Sequence, residues 1–215
     1  MTERFTDTLK QSCAPVWMQA VNHRFVTELW AGTVADDVMA AYLVQDHRFL
    51  DSFLTLLGAA MATADTFEAR LRLSRFAGMV AGEENTYFLR SFEALGVTPE
   101  ECAAIPDKAP TAGFQAIMRE AAATRSYAAA LSVLTVAEWL YFEWATDSAG
   151  AMPANFVHAE WITLHDNPDF NDFVAFLRAE LDRVGPAEAA LCRDFFTRAV
   201  TLELDFFEAA YSDHL

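Results

Sequence analysis

From one end of the chain to the other, apolar side chains recur every three to four positions, and stop signals fall where these runs end. That period belongs to the α-helix. Little else in the chain opposes it. Glycine (8) and proline (7) together are scarce, about 7% of residues against an average near 12%, which is too little turn chemistry for the many hairpins of a β-sandwich or barrel. The expected fold class is all-α. At 215 residues the chain fits a single domain over 1–215, because one core serves chains of up to roughly 250 residues. With 53% hydrophobic residues, 18 Phe and 5 Trp, it has ample apolar surface to offset the entropy of ordering, which excludes intrinsic disorder.

The spacing predicts a first helical stretch over about 2–31, divided or kinked at Pro15 and closed by Gly32. A second runs over 36–62. A third, over 65–95, has Asp65 placed to cap its start and Gly96 its end, and its ~45 Å span the molecule. Thr98-Pro99-Glu100-Glu101 opens a short helix, since proline suits a first helical position and carboxylates a first turn. Residues 105–110 read as loop. Helices over about 111–124, 127–147 and 155–165 follow; Asn167-Pro168 starts one ending near Gly185, and Pro186 starts the last, ending near Tyr211. Long helices with wide apolar stripes make a bundle around one core.

A formal charge of −16 repels phosphate backbones and anionic membranes alike, with no basic cluster to offset it, so nucleic acid and membrane are poor partners for this chain. The first ten residues lack the apolar stretch of a secretory signal, and no apolar run approaches the ~18 residues of a membrane span. A cytoplasmic location is expected. Cys13, Cys102 and Cys192 are few, odd in number and far apart, which fits a reducing compartment and not a disulfide scaffold or cysteine-rich zinc site.

The informative residues are carboxylates on apolar helix faces. An acidic residue whose i±3 and i±4 neighbours are all apolar must point at the core or a pocket. Asp46 (Tyr42, Leu43, Phe49, Leu50), Glu84 (Val80, Ala81, Tyr87, Phe88) and Glu203 (Ala199, Val200, Phe206, Phe207) meet this test. Glu138 meets it if Thr135 is allowed beside Leu134, Tyr141 and Phe142, and a looser test admits Glu120 and Glu160. An ionised carboxylate in apolar surroundings costs several kcal/mol unless partnered. Any one of these groups could be paired with Arg or Tyr as a core-specifying contact, but 15 cations serve 31 anions. Several together point to a shared, aromatic-lined pocket suited to a flat, nitrogen-rich, partly cationic ligand. No metal is expected: the E-x-x-H spacing of helical-bundle metal sites is missing around His23, His47, His158, His165 and His214. No phosphate-binding glycine loop or nucleophile elbow occurs either. His47 should face away from Asp46, since adjacent helical residues diverge by about 100°, and His214 belongs to a chain end. His165, where a helix gives way to loop, is a candidate site residue or a structural cap. Most rings of FFTRAVTLELDFF (195–207) read as core.

These residues carry a family resemblance. HRFVTELWAGTV (23–34) and AYLVQDHRFL (41–50) resemble the N-terminal signature of the TenA (thiaminase II) family, and EWLYFE (138–143) and LELDFF (202–207) fall where that family keeps its other site residues. The resemblance covers essentially the whole chain. It implies the haem-oxygenase-like all-helical fold without haem or other cofactor, a homo-oligomer (tetramer or dimer), and hydrolysis of the pyrimidine half of damaged thiamin. It implies that Asp46 holds the aminopyrimidine edge, that Glu203 is the catalytic acid/base, that Tyr141 is an active-site tyrosine, and that Phe49 keeps a stacking face where many members have tyrosine. Glu84 and Phe207 complete the expected substrate-binding set. The family's nucleophilic cysteine would fall at Ala137. Members without it form a second subfamily with a glutamate one residue later, which Glu138 matches, and His165 sits near a tyrosine of the cysteine-containing branch. The expected activity is carboxylate acid/base hydrolysis of an aminomethyl- or N-formylaminomethyl-pyrimidine. A non-catalytic pyrimidine-binding or regulatory protein, and an oxygenase of the same fold related to pyrroloquinoline-quinone synthase, remain alternatives.

Overall fold

The computed structural model describes residues 4–146 and 150–212; residue 2, residue 147 and His214 lie outside them. Every regular element among the described residues is helical. The first stretch is three helices, α1 (Phe5–Ser12), α2 (Ala14–Val21) and α3 (Arg24–Ala31). Pro15 sits in the first turn of α2, where its missing N–H costs nothing. The second break, which the sequence does not announce, comes at His23, whose Nδ1 accepts the Phe25 N–H and caps α3. Gly32 then ends α3 at φ 67°, a left-handed conformation open to glycine at no steric cost.

Helix α4 (Asp36–Thr63) is the expected long second helix. The stretch read as one helix over 65–95 is instead α5 (Phe67–Met79), a five-residue π turn over Val80–Glu84, and α6 (Asn85–Leu95). Its cap is Thr66, whose hydroxyl accepts the Ala69 N–H. Asp65 is drawn away into a two-bond pair with Arg183, at 2.7 and 2.8 Å. After α7 (Pro99–Ala104), boxed by Thr98 and Glu101 as its sequence predicts, come α8 (Ala109–Thr124), α9 (Tyr127–Thr146), α10 (Phe156–His165), α11 (Pro168–Val184), a 3₁₀ turn (Gly185–Glu188) and α12 (Ala189–Ala209).

Helix α9 is the axis of the molecule, packing against α4, α8, α11 and α12. Every residue from Tyr127 to Tyr141 is buried, so this helix is apolar around its whole circumference, the pattern of a core helix. Any polar group on it is enclosed by neighbours, and it carries Glu138.

Candidate functional site

One face of α4 carries Asp46, Phe49, Leu50 and Phe53 at positions i, i+3, i+4 and i+7, and all four line the same internal cavity. Helix α9 adds Ala137, Glu138 and Tyr141; α12 adds Glu203 and Phe206; α10 adds Trp161, Leu164 and His165. Phe76 of α5, Phe114 of α8 and Phe170 of α11 close the aromatic wall. The π turn contributes two consecutive residues, Glu83 and Glu84. In an α-helix they would diverge by ~100°; the wider π turn, a feature frequent at functional sites, lets both reach one cavity. The free space, counted as positions open to the centre of a water molecule, is about 60 Å³. One water needs roughly 10–15 Å³ on that measure, so the cavity suits a few waters or one small ring.

Asp46, Glu138 and Glu203 are only 7%, 7% and 3% exposed. No lysine or arginine lines the cavity with them. Burial pushes the Asp46 carboxyl up to about 7, against the pull of the neighbouring Tyr42 hydroxyl, which favours its charged form. Burial and the Asp46 charge push Glu84 up to about 8. Glu138 lies well above the usual carboxylate range through burial, then through Glu84 and Asp46; Glu203 does so through burial, then through Asp46 and Glu138. Burial thus raises all four carboxyls, and the Asp46 charge adds to the rise of the other three, the arrangement that tunes acids towards neutral pH. Asp46 Oδ2 is buried and finds no hydrogen-bond partner. A buried acceptor left unpaired costs about 1–3 kcal/mol, and a ligand donor would remove that cost.

The surrounding polar groups are fixed. Tyr141 shares a 2.6 Å hydrogen bond with the Tyr42 hydroxyl behind the wall. His165 donates from Nδ1 to the Trp161 carbonyl at 2.8 Å, which leaves Nε2 as an acceptor. Burial lowers its pKa to about 4, so the ring is neutral at pH 7. It stacks edge-on against Trp161 and Phe170, with centroids 4.5 and 5.1 Å away.

Of the residues singled out from the sequence, the structure brings Asp46, Glu84, Glu138, Glu203, Phe49, Tyr141 and His165 together on this cavity. Phe207 is a correction: it is fully buried between Phe25, Tyr42 and Tyr141, with centroids 5.5, 6.2 and 5.9 Å away, and the ring on the wall is Phe206. Both flank Glu203 on α12, but the side towards Phe207 is filled by α3 and α4. Glu120 and Glu160, admitted only by the looser test, are surface partners of Arg198 and Arg90. His47 turns to Asn85, 3.0 Å away.

Glu83 and Trp161 are site residues that the sequence reading missed. Glu83 is flanked by Met79, Val80, Thr86 and Tyr87, the same single-threonine tolerance that admits Glu138, so a signal was present. Trp161 is one turn before His165 on the same face. No cysteine lines the cavity, and burial pushes the Cys13 thiol up to about 11. Among the described residues no three His, Cys, Asp or Glu side chains are arranged to hold a metal ion, and no helix is long and apolar enough to cross a membrane.

The model of the TENA/THI-4/PQQC family matches residues 10–213. The chain is 22% identical over 217 residues to the aminopyrimidine aminohydrolase of Halalkalibacterium halodurans, covering 98% of this chain and 97% of that one. Its fold superposes with a TM-score of 0.85 on the crystal structure of a TenA family transcription regulator from Silicibacter sp. TM1040, at 21% identity over 98% of this chain and 97% of that one. A domain of unknown function with a haem-oxygenase-like fold from Shewanella denitrificans gives 0.65 at 15% identity, over 96% and 91% of the two chains. The fold is thus the all-helical, haem-oxygenase-like one.

Proposed function

The chain belongs to the TENA/THI-4/PQQC family, and from that premise we propose that it is a thiamin-salvage hydrolase acting on the pyrimidine moiety of thiamin breakdown products, in the subfamily that works without a cysteine nucleophile. One observation carries the reading: Asp46, Glu138 and Glu203, from three helices far apart in sequence, are buried on one ring-sized aromatic cavity that no cationic side chain lines.

A 4-aminopyrimidine presents a ring nitrogen and an exocyclic amine side by side, and one carboxyl can meet both with two hydrogen bonds. Asp46, with its unpaired Oδ2, is the group for that edge. Phe49, held against Phe114 and Phe53 at 5.3 and 5.2 Å, offers a stacking face. Hydrolysis of an aminomethyl substituent breaks the C–N bond, delivers a water oxygen to carbon and releases ammonium. On an N-formylaminomethyl substituent water instead cleaves the amide, giving formate and the free amine. Both require a carboxylic acid to protonate the leaving nitrogen and a carboxylate to take a proton from water. Glu203 and Glu138, both raised in pKa and with the Glu138 charge acting on Glu203, can divide those two roles, as paired carboxyls do when their environments separate their proton affinities. Alanine at 137 leaves no thiol to add to the ring, so turnover of intact thiamin is expected to be slow or nil. The homo-oligomer, dimer or tetramer, belongs to the same reading through the family resemblance.

The test is release of ammonia from 4-amino-5-aminomethyl-2-methylpyrimidine and of formate from its N-formyl derivative. Wild-type protein should turn over at least one of them, and Glu203→Gln should lose roughly 10²–10⁴-fold in kcat. Wild-type turnover no greater than that of Glu203→Gln contradicts the reading, and tight binding without product replaces catalysis with a binding role.

A further inference from the structure

The proposed chemistry uses Asp46, Glu138 and Glu203 but assigns nothing to the π turn, which interrupts an otherwise continuous run from Phe67 to Leu95 and brings two adjacent glutamates to the cavity. Among the described residues, neither Glu83 nor Glu84 has a hydrogen-bond or ion-pair partner. Glu83 is exposed and Glu84 half-buried, so the pair runs from the mouth of the cavity inward. At its inner end the Glu84 charge acts on Glu138, one of the two candidate acids for the leaving nitrogen, more strongly than that of Asp46. Gly82, directly before the pair, has open space around the position of a side chain. The unpaired, buried Asp46 Oδ2 independently marks the cavity as built for a ligand that brings donors.

We propose that Glu83 and Glu84 form the subsite for a positively charged nitrogen on the C5 side chain of the ligand, so that this protein discriminates in favour of a free aminomethyl-pyrimidine and against its neutral counterparts. The inference rests on the pyrimidine reading above and adds the residues and the direction of selectivity. An ammonium group entering past Glu83 meets acceptors and no competing protein cation, because lysine and arginine are missing from the lining. An N-formyl group at the same place carries no charge, so it forgoes the charge-assisted bonds that an ammonium gains from the two carboxyls. Glu84 then holds the nitrogen beside Glu138.

The experiment compares the affinities of two probes sharing the ring, 4-amino-5-aminomethyl-2-methylpyrimidine, which carries the ammonium, and 4-amino-2,5-dimethylpyrimidine, which does not. Calorimetry is run on the full chain and on Glu83→Gln, Glu84→Gln and the double variant. Wild-type protein should prefer the cationic probe by ~10-fold or more, the size of one charge-assisted hydrogen bond. The double variant should bring that preference close to parity while the neutral probe keeps its affinity within about threefold. Equal binding of both probes by wild type, or an undiminished preference in the double variant, overturns the inference and leaves the pyrimidine reading standing. Failure of both probes to bind wild type overturns both readings, and binding of the neutral probe alone overturns the inference. A merely structural role for Glu84 would weaken both probes together, which also counts against the proposal. Glu83→Gln alone, at an exposed position, keeps the test open should the double variant fold poorly; it should shift the preference in the same direction.

Discussion

At the scale of single residues, the cost of the site falls on its carboxyls. Each pKa unit corresponds to about 1.4 kcal/mol, so the rise of Asp46 from 3.8 to about 7 is worth ~4 kcal/mol at most. The sign follows from proton binding. Between pH 4 and 7 the folded chain keeps a proton on Asp46 that the unfolded chain has lost, so stability falls as pH climbs through that window and the loss is complete above it. Asp46→Asn removes this cost. Its thermal midpoint should exceed that of wild type by ~5 °C or more at pH 8.5, given roughly 2–4 °C per kcal/mol in a domain of this size, and the two should nearly coincide at pH 4. An equal gain at both pH values would show that the Asp46 charge is not what the cavity penalises. Asp46, Glu84 and Glu203 were legible because an apolar helix face around an acid is a contradiction that only a pocket or a partner resolves. Phe207 was misread because neighbour patterns place a residue on a face without saying which side of that face meets the cavity.

At the scale of elements, most helices and their caps follow from sequence, and the departures have local causes. His23 caps α3 with a ring nitrogen, an uncommon choice beside serine or aspartate. The π turn has no counterpart in a reading based on a period of 3.6, since VAGEE offers neither proline nor an apolar phase shift to mark it. The α10–α11 corner behaves as expected and is worth testing because it holds His165 in place. Asn167 Oδ1 accepts the Phe170 N–H at 3.0 Å, while its Nδ2 donates to the Thr163 and Leu164 carbonyls, both at 3.0 Å. One side chain therefore caps the start of α11 and satisfies the end of α10. Asn167→Ala should cost about 1–2 kcal/mol and lower the thermal midpoint by ~3–6 °C, read by circular dichroism. An unchanged midpoint would mean that the corner is held by its aromatic packing alone.

At the scale of the whole molecule, one long apolar helix organises the rest. With α9 buried from Tyr127 to Tyr141, the faces of α4 and α12 that pack on it are held in fixed register, and the acids of all three helices are brought onto one wall. Composition and period were enough for the all-α class. The meeting of residues 46, 138 and 203 is a property of the packed bundle, which periodicity along one helix at a time cannot supply. The chain's formal net charge of −16, the site's own acids included, is strongly negative, so the field of the whole molecule attracts cations and works with the site. The most direct test is a crystal of the protein soaked with 4-amino-5-aminomethyl-2-methylpyrimidine. The account predicts one ring in the cavity, with the Asp46 carboxyl within hydrogen-bond distance of both a ring nitrogen and the 4-amino group, and the C5 nitrogen turned towards Glu138 and Glu84. A ring bound elsewhere, or in the cavity with Asp46 uninvolved, would contradict it.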